Sequence, residues 1–520
     1  MAACGSRAPE RFPEGEIVGQ NVELGHILRD AKGFEVPPDN WQTVKVAIVG
    51  GGIAGLSSAW KLSKENFHDF VLLELEKEIG GTSRSNEGSP VSYPWGAHYL
   101  PVPFPENAAL ISLLDEMSLL EGSSAGQWRV KEEFLCREPE ERIFYKGRWY
   151  DGLYLHAGES DDDKLQYAAF QKQIDHWVRW RDRPGRRAFV VPVANCSDDA
   201  QVTALDKISF AEWLRQNNFT SERLIWYCDY ACRDDYGLQL EQTSAWAGLF
   251  YFCSRVRESG DESQQFITFP EGNGRFVNHF LDRVNDKVRR SQVVVSIVPH
   301  EVGVDVLCMD DGVLRGFHCE SVIFASPIFT APYVIRGFSE DAPFDAREFQ
   351  HNAWFVANLF LKDRPEPRFA RDFPLAWDNV LYESPSLGYV NATHQKGIDY
   401  GPAILTYYYP MCHESDGRTK LFSYSWHELA DVCLTDVARA HPDIYDLTDR
   451  VDIMRWGHAM ISPRPNFIWS GIRQKAMQPY RNIHFAHTDL SGIALFEEAF
   501  YHGLRAAAEV LGVERQSRGG

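Results

Sequence analysis

The sequence predicts an α/β fold, and two observations carry that prediction. Val44-Lys45-Val46-Ala47-Ile48-Val49 is a short β-branched run of the kind that forms a buried parallel strand. It leads directly into Gly50-Gly51-Gly52-Ile53-Ala54-Gly55 and a helical stretch from Leu56 to Ser63. A second apolar strand, Phe70-Val71-Leu72-Leu73, follows and ends at Glu74. Strand, glycine loop, helix, strand and terminal acid in this order describe a unit that binds a dinucleotide. Gly50 makes the tight turn, Gly52 lets a pyrophosphate approach the backbone, and Gly55 lets the helix pack on the strand. Glu74 stands where a carboxylate accepts both ribose hydroxyls of an adenosine, which disfavours a 2′-phosphate.

Composition bounds what surrounds this unit. The 520 residues are 44% apolar and 24% charged, and 32 Phe, 21 Tyr and 15 Trp supply core enough for more than one domain. No apolar run reaches the roughly 18 residues of a membrane span. The net charge of −20 repels phosphate backbones and speaks against nucleic-acid binding, while favouring cationic small molecules. The ten cysteines show no C-x-x-C spacing and are too sparse for a disulfide scaffold. Cys228 and Cys232 are expected on one buried helix face. No metal site is expected. Asp161-Asp162-Asp163 reads as a solvated loop, not a calcium loop. Asn195, Asn218 and Asn391 each open an N-x-[ST] tripeptide, a pattern that also arises by chance.

The N-terminus reads as an extension or tether over residues 1–40. Ala2-Ala3-Cys4-Gly5 resembles the end of a bacterial lipoprotein signal, which implies a lipid on Cys4 and a periplasmic or membrane-anchored protein. Without that lipid the expectation is a cytoplasmic protein.

Downstream of Glu74, Gly80-Gly81-Thr82-Ser83-Arg84 resembles the second glycine element of the flavin amine oxidase superfamily. Thr82 replaces the usual first arginine and Arg84 is positioned to supply the charge. Gly96-Ala97-His98 resembles the segment beside the isoalloxazine. Phe269 to Gly274 resembles the turn that opens the second FAD segment, with Val294 at the place whose backbone pairs with adenine. Val293–Val298, a hairpin around Asp310-Asp311-Gly312, and Ser321–Pro327 continue it. Asn482 to Asp489 resembles the last FAD strand, with Asp489 on the ribityl-binding acid. Phe496 opens a final helix whose N–H groups face flavin N1 and O2.

The resemblance implies a discontinuous Rossmann-like FAD-binding domain over 41–105, 264–332 and 447–512. A second, substrate domain of mixed sheet and helices fills 106–263 and 333–446. Its first part is helical at 209–217 and 221–233, and its second carries strands at 354–362 and 403–409. FAD is the expected cofactor. It is non-covalent or linked through His98, because no cysteine follows Cys433 to make a C-terminal link.

The implied activity is hydride removal from the C–N bond of a primary amine or polyamine, with oxygen or a redox partner as acceptor. A desaturase or protoporphyrinogen-oxidase-like reaction and a non-catalytic flavin-binding role are the alternatives. Two departures from the family matter. Asn358 stands where a water-holding lysine is expected, unless a shifted register makes Lys362 the match. The paired aromatic cage falls near Phe467 and on Leu495, so one ring is missing. Trp456 and Trp469 are candidate replacement walls. Histidines cluster on the matched segments at His98, His458, His487 and His502, with His458 the first catalytic candidate.

Overall fold

The computed structural model describes residues 12–19, 21–30, 34–122, 128–256, 265–366 and 374–512. Cys4 lies outside them. A five-stranded, wholly parallel sheet runs in the order Val288–Arg289, Phe70–Leu73, Val46–Val49, Ser321–Phe324, Ile483–Phe485. Every residue of Val46–Val49 and Phe70–Leu73 is buried, so these strands read as continuous apolar runs. Val46, Ile48, Phe70 and Leu72 point into a core with helices Ile53–Lys64, Gly274–Val284 and Phe496–Leu511. Ala47, Val49, Val71 and Leu73 join a second core that includes residues of an antiparallel meander. Each fully buried Val, Leu or Ile contributes about 1.5–3 kcal/mol.

The meander is Gln292–Pro299, Val304–Asp310 and Val313–Cys319. Its hairpin turns at Asp311 and Gly312, both with positive φ, which is the geometry the Asp-Gly pair favours. Trp41–Thr43 adds to its edge.

The second unit is built on an eight-stranded mixed sheet. His351–Leu361 lies between Ala403–Pro410 and the 14-residue strand Thr448–Ile461, antiparallel to both. Thr448–Ile461 therefore belongs to this sheet, although the sequence places residues from 447 onward in the FAD domain. Its alternating apolar residues pack as well here as in a parallel sheet, so pattern alone does not assign it. Glu14–Val18 pairs in parallel with the outer edge of the same strand, so this part of the N-terminal extension is an edge strand. Helices Phe210–Gln216 and Glu222–Tyr236 form as expected, capped by Ser209 and Ser221, with Cys228 and Cys232 both fully buried. Asp161–Asp163 is not a loop. It is the first turn of helix Asp161–Arg179, where Ser160 and Asp163 make a capping box and the acids complement the helix dipole.

Candidate active site

A continuous cavity of about 950 Å³ lies between the parallel sheet and the eight-stranded sheet. Its wall contains most of the residues singled out from the sequence. The dinucleotide end is built by close backbone contacts. Gly55 lies against the glycine turn: a Cβ there would fall 1.9 Å from the Gly50 carbonyl oxygen. Gly52 differs, because a Cβ there meets nothing within 4 Å and would project into the cavity. Gly52 also opens helix Ile53–Lys64 with no side-chain cap, leaving the first N–H groups for an anion. Gly80 and Gly81 dock on this loop, with Gly80 N donating to Gly51 O at 2.9 Å.

Glu74 and Arg84 line the same end. Glu74 accepts from Gly51 N at 2.6 Å and from Glu76 N at 2.8 Å, and burial raises its pKa. Arg84 is buried beside Glu76 and Glu78, and its Nε has no hydrogen-bond partner. Val294 lines the cavity directly before a β-bulge. Phe496 begins a 16-residue helix, also without a side-chain cap, and lines the cavity. An open glycine cradle, a buried guanidinium with its Nε unbonded and two uncapped helix N-termini fit a dinucleotide diphosphate and a reduced flavin.

The other end of the cavity is ringed by aromatic side chains. Gly96 and Ala97 fold against Thr82, and the Tyr408 hydroxyl donates to Gly96 O at 2.8 Å. His98 sits among Tyr408, Trp377 and Tyr99, with ring centroids 5.0–5.3 Å apart. Burial pushes its pKa down to about 4 despite the contact with Gly96 O, so the imidazole is neutral at physiological pH. Trp456 lines the wall and its indole N–H donates to Trp95 O at 2.7 Å. His458 lines it too, against Phe329 at 4.2 Å.

Two expected roles do not survive. Asn358 is fully buried within the sheet and does not line the cavity. Its Nδ2 donates to Pro94 O and its Oδ1 accepts from Thr406, so both amide groups are engaged away from the cavity. Lys362, the shifted match, is exposed beside Asp449. Asp489 is likewise sealed from the cavity. Its carboxylate accepts from Ile328 N and lies 2.8 Å from His351 Nε2 and 2.9 Å from His487 Nδ1. The two imidazoles hold it well below the usual carboxylate range against the opposing effect of burial. His487, which stands on a family glycine, lines the cavity in its place. Phe467, Trp469 and His502 are outside the wall, whereas Leu495 is in it.

Sequence reading missed the acids. Glu140, Glu141, Asp234, Asp235 and Asp378 all line the cavity. Glu141 and Asp378 are register neighbours on adjacent parallel strands, and Asp234 reaches them from helix Glu222–Tyr236. Burial first, then repulsion from Glu140 and Asp234, pushes Glu141 up to about 8. Asp378 is also raised, well above the usual carboxylate range, by burial and by Glu141 and Asp234. Arg255 pairs with Asp235 through two hydrogen bonds, of 2.6 and 2.8 Å.

Residues 53–511 match the family described as flavin containing amine oxidoreductase. The Mycobacterium tuberculosis H37Rv protein named "Putative flavin-containing monoamine oxidase AofH" is 24% identical over 518 residues, covering 93% of this chain and 99% of its own. Wild-type putrescine oxidase bound to putrescine superposes with a TM-score of 0.66 at 18% identity, over 91% of this chain and 100% of that one. Cyclohexylamine oxidase from Brevibacterium oxydans gives 0.65 at 14% identity, over 91% and 100%. With the dinucleotide cradle in place and the family match spanning both units, the chain belongs to the flavin containing amine oxidoreductases and is an FAD-dependent oxidoreductase.

Proposed function

We propose that this enzyme oxidises a primary amine that carries a second ammonium group, a diamine or polyamine. The observation that carries the reading is the carboxylate wall formed by Glu140, Glu141, Asp234 and Asp378 in the same cavity as the flavin cradle. Crowded acids with raised pKa values lack counter-charge, and a bound cation supplies it. The apolar tunnel free of carboxylates that a desaturase would favour is not what lines this site. Solved structures of similar fold are named for putrescine and for cyclohexylamine, a diamine and a monoamine.

FAD, when bound, accepts the hydride from the amine carbon. The chain's own residues orient the substrate. The acids hold the distal ammonium, and the rings of Tyr408 and Trp377 flank the path toward Gly96 and Ala97. His98 is too weak a base to take a proton from an ammonium at neutral pH, so it serves as a neutral hydrogen-bonding wall. The amine therefore loses its proton to solvent or to a carboxylate of the wall.

Anaerobic titration tests the reading. Putrescine, spermidine and a monoamine of equal length are added separately, and the flavin absorption band is followed. The dications are expected to bleach it at lower concentration. Equal bleaching by the monoamine would remove the dication preference, and a band unmoved by every amine would refute this substrate class.

A further inference from the structure

The family match begins at residue 53, yet Asn21, Val22, Gly25 and His26 supply part of the cavity wall. Glu14–Val18 adds to the edge of Thr448–Ile461 in register, from Glu14 beside Arg450 to Val18 beside Met454. At Gly19 the chain passes so close to Met454 and Arg84 that a Cβ would lie 2.2 Å from Met454 Sδ and 3.3 Å from an Arg84 Nη. Asn21 N then donates to Glu76 Oε1 at 2.7 Å, and Asn21 Oδ1 accepts from Leu24 N at 3.0 Å to start helix Val22–Asp30.

That helix has two faces, as spacings of three and four residues dictate. Leu24 and Ile27 pack with Leu75, Val293 and Val295. Val22, Gly25 and His26 face the cavity, and a Cβ on Gly25 would meet nothing within 4 Å. At the far side His26 Nε2 lies 3.2 Å from an Arg418 Nη, on helix Gly417–Ser423 of the second unit. The segment thus joins Glu76 on the dinucleotide side to Arg418 on the other side, across the cavity.

We propose that the strand Glu14–Val18 and the helix Val22–Asp30 are a latch of the FAD site. Gly25 gives the dinucleotide a second close backbone approach, opposite Gly52. The Glu76 and Arg418 contacts hold the helix across the cavity, and the edge strand anchors it. FAD enters and leaves only when the latch lifts. The inference rests on FAD as the cofactor and is independent of the amine substrate.

The test is flavin exchange, read by the fluorescence of released FAD. Glu16 and Asp452 are register partners, with Cα atoms on neighbouring strands about 4.8 Å apart, within disulfide reach. In the Glu16→Cys/Asp452→Cys variant, oxidation is expected to slow FAD loss by about tenfold or more. Oxidised apoprotein is expected to take up FAD correspondingly slowly, and dithiothreitol to restore both rates. Deleting residues 2–30 is expected to speed FAD loss by about tenfold, with the circular dichroism of the apoprotein unchanged. If the deletion variant does not fold, the disulfide variant decides alone. Equal exchange in its oxidised and reduced forms would overturn the latch.

Discussion

Replacing Glu141 by glutamine tests the carboxylate wall most directly. An ammonium held about 5.5 Å from this carboxylate, at an effective dielectric near 20, gains about 3 kcal/mol. The gain is not fully available at neutral pH, because the carboxylate is pushed up to about 8 and is mostly protonated. Ionising it at pH 7 costs about 1.4 kcal/mol, one pK unit. The net effect is about 1.6 kcal/mol, or roughly fifteenfold in kcat/KM for a diamine. At pH 9 the cost nearly vanishes and the effect grows to roughly 150-fold. A monoamine of similar length is expected to be changed less than about threefold at either pH. The assay is steady-state kcat/KM for a matched diamine and monoamine, wild type against variant, from pH 6.5 to 9. An equal loss for both amines, or a ratio that does not rise with pH, would refute the assignment of the distal ammonium to Glu141.

Gly52→Val is expected to yield a folded protein with almost no bound flavin, because the side chain enters the cradle; absorbance at the flavin band against protein content reads this. Gly55→Ala is expected to destabilise the fold itself by about 2–4 kcal/mol, since its Cβ would meet the Gly50 carbonyl, and urea denaturation of the apoprotein would show it. Asn358→Ala should lower stability by about 2 kcal/mol while leaving turnover per bound flavin unchanged, as both its amide groups serve the sheet. A tenfold loss of turnover at full flavin occupancy would instead return Asn358 to the chemistry. The raised acids set the direction of the stability profile. Glu140 and Glu141 keep protons when folded that they release near pH 4.5 when unfolded, so stability present in acid is lost as pH rises to about 8. Differential scanning fluorimetry should therefore show Tm falling between pH 5.5 and 8.5, with a larger gain from saturating diamine at 8.5.

The dinucleotide half was legible because its chemistry is local. Gly50, Gly52, Gly55, Glu74 and their strands act within thirty residues, where spacing alone dictates a turn and a close approach. The acid wall was not legible, because Glu141, Asp234 and Asp378 come from three distant segments and each is an unremarkable carboxylate in its own neighbourhood. Only the parallel pairing of Glu141–Tyr145 with Asp378–Leu381 and the course of helix Glu222–Tyr236 bring them together. Asn358 and Asp489 illustrate the converse. Matching a motif position is not the same as facing the cavity: one residue turned into the sheet, and the other was taken by His351 and His487. The strand Thr448–Ile461 was misassigned for a related reason, since an apolar run does not say which of two sheets it joins.

The edge strand Glu14–Val18 also has a consequence for biosynthesis. Glu16 and Arg450 are ion-paired although 434 residues separate them. At ribosomal rates of roughly 5–20 residues per second, the first strand waits on the order of 20–90 s before its partner is made. An unpaired strand exposed for that long is a template for sticking to other chains. Its sequence, Glu-Gly-Glu-Ile-Val, suits the wait: two acids repel a neighbouring copy and a glycine weakens extended pairing. The last piece of the sheet to close is thus drawn from residues made 434 positions ahead of their partner, and its charge keeps it soluble until then.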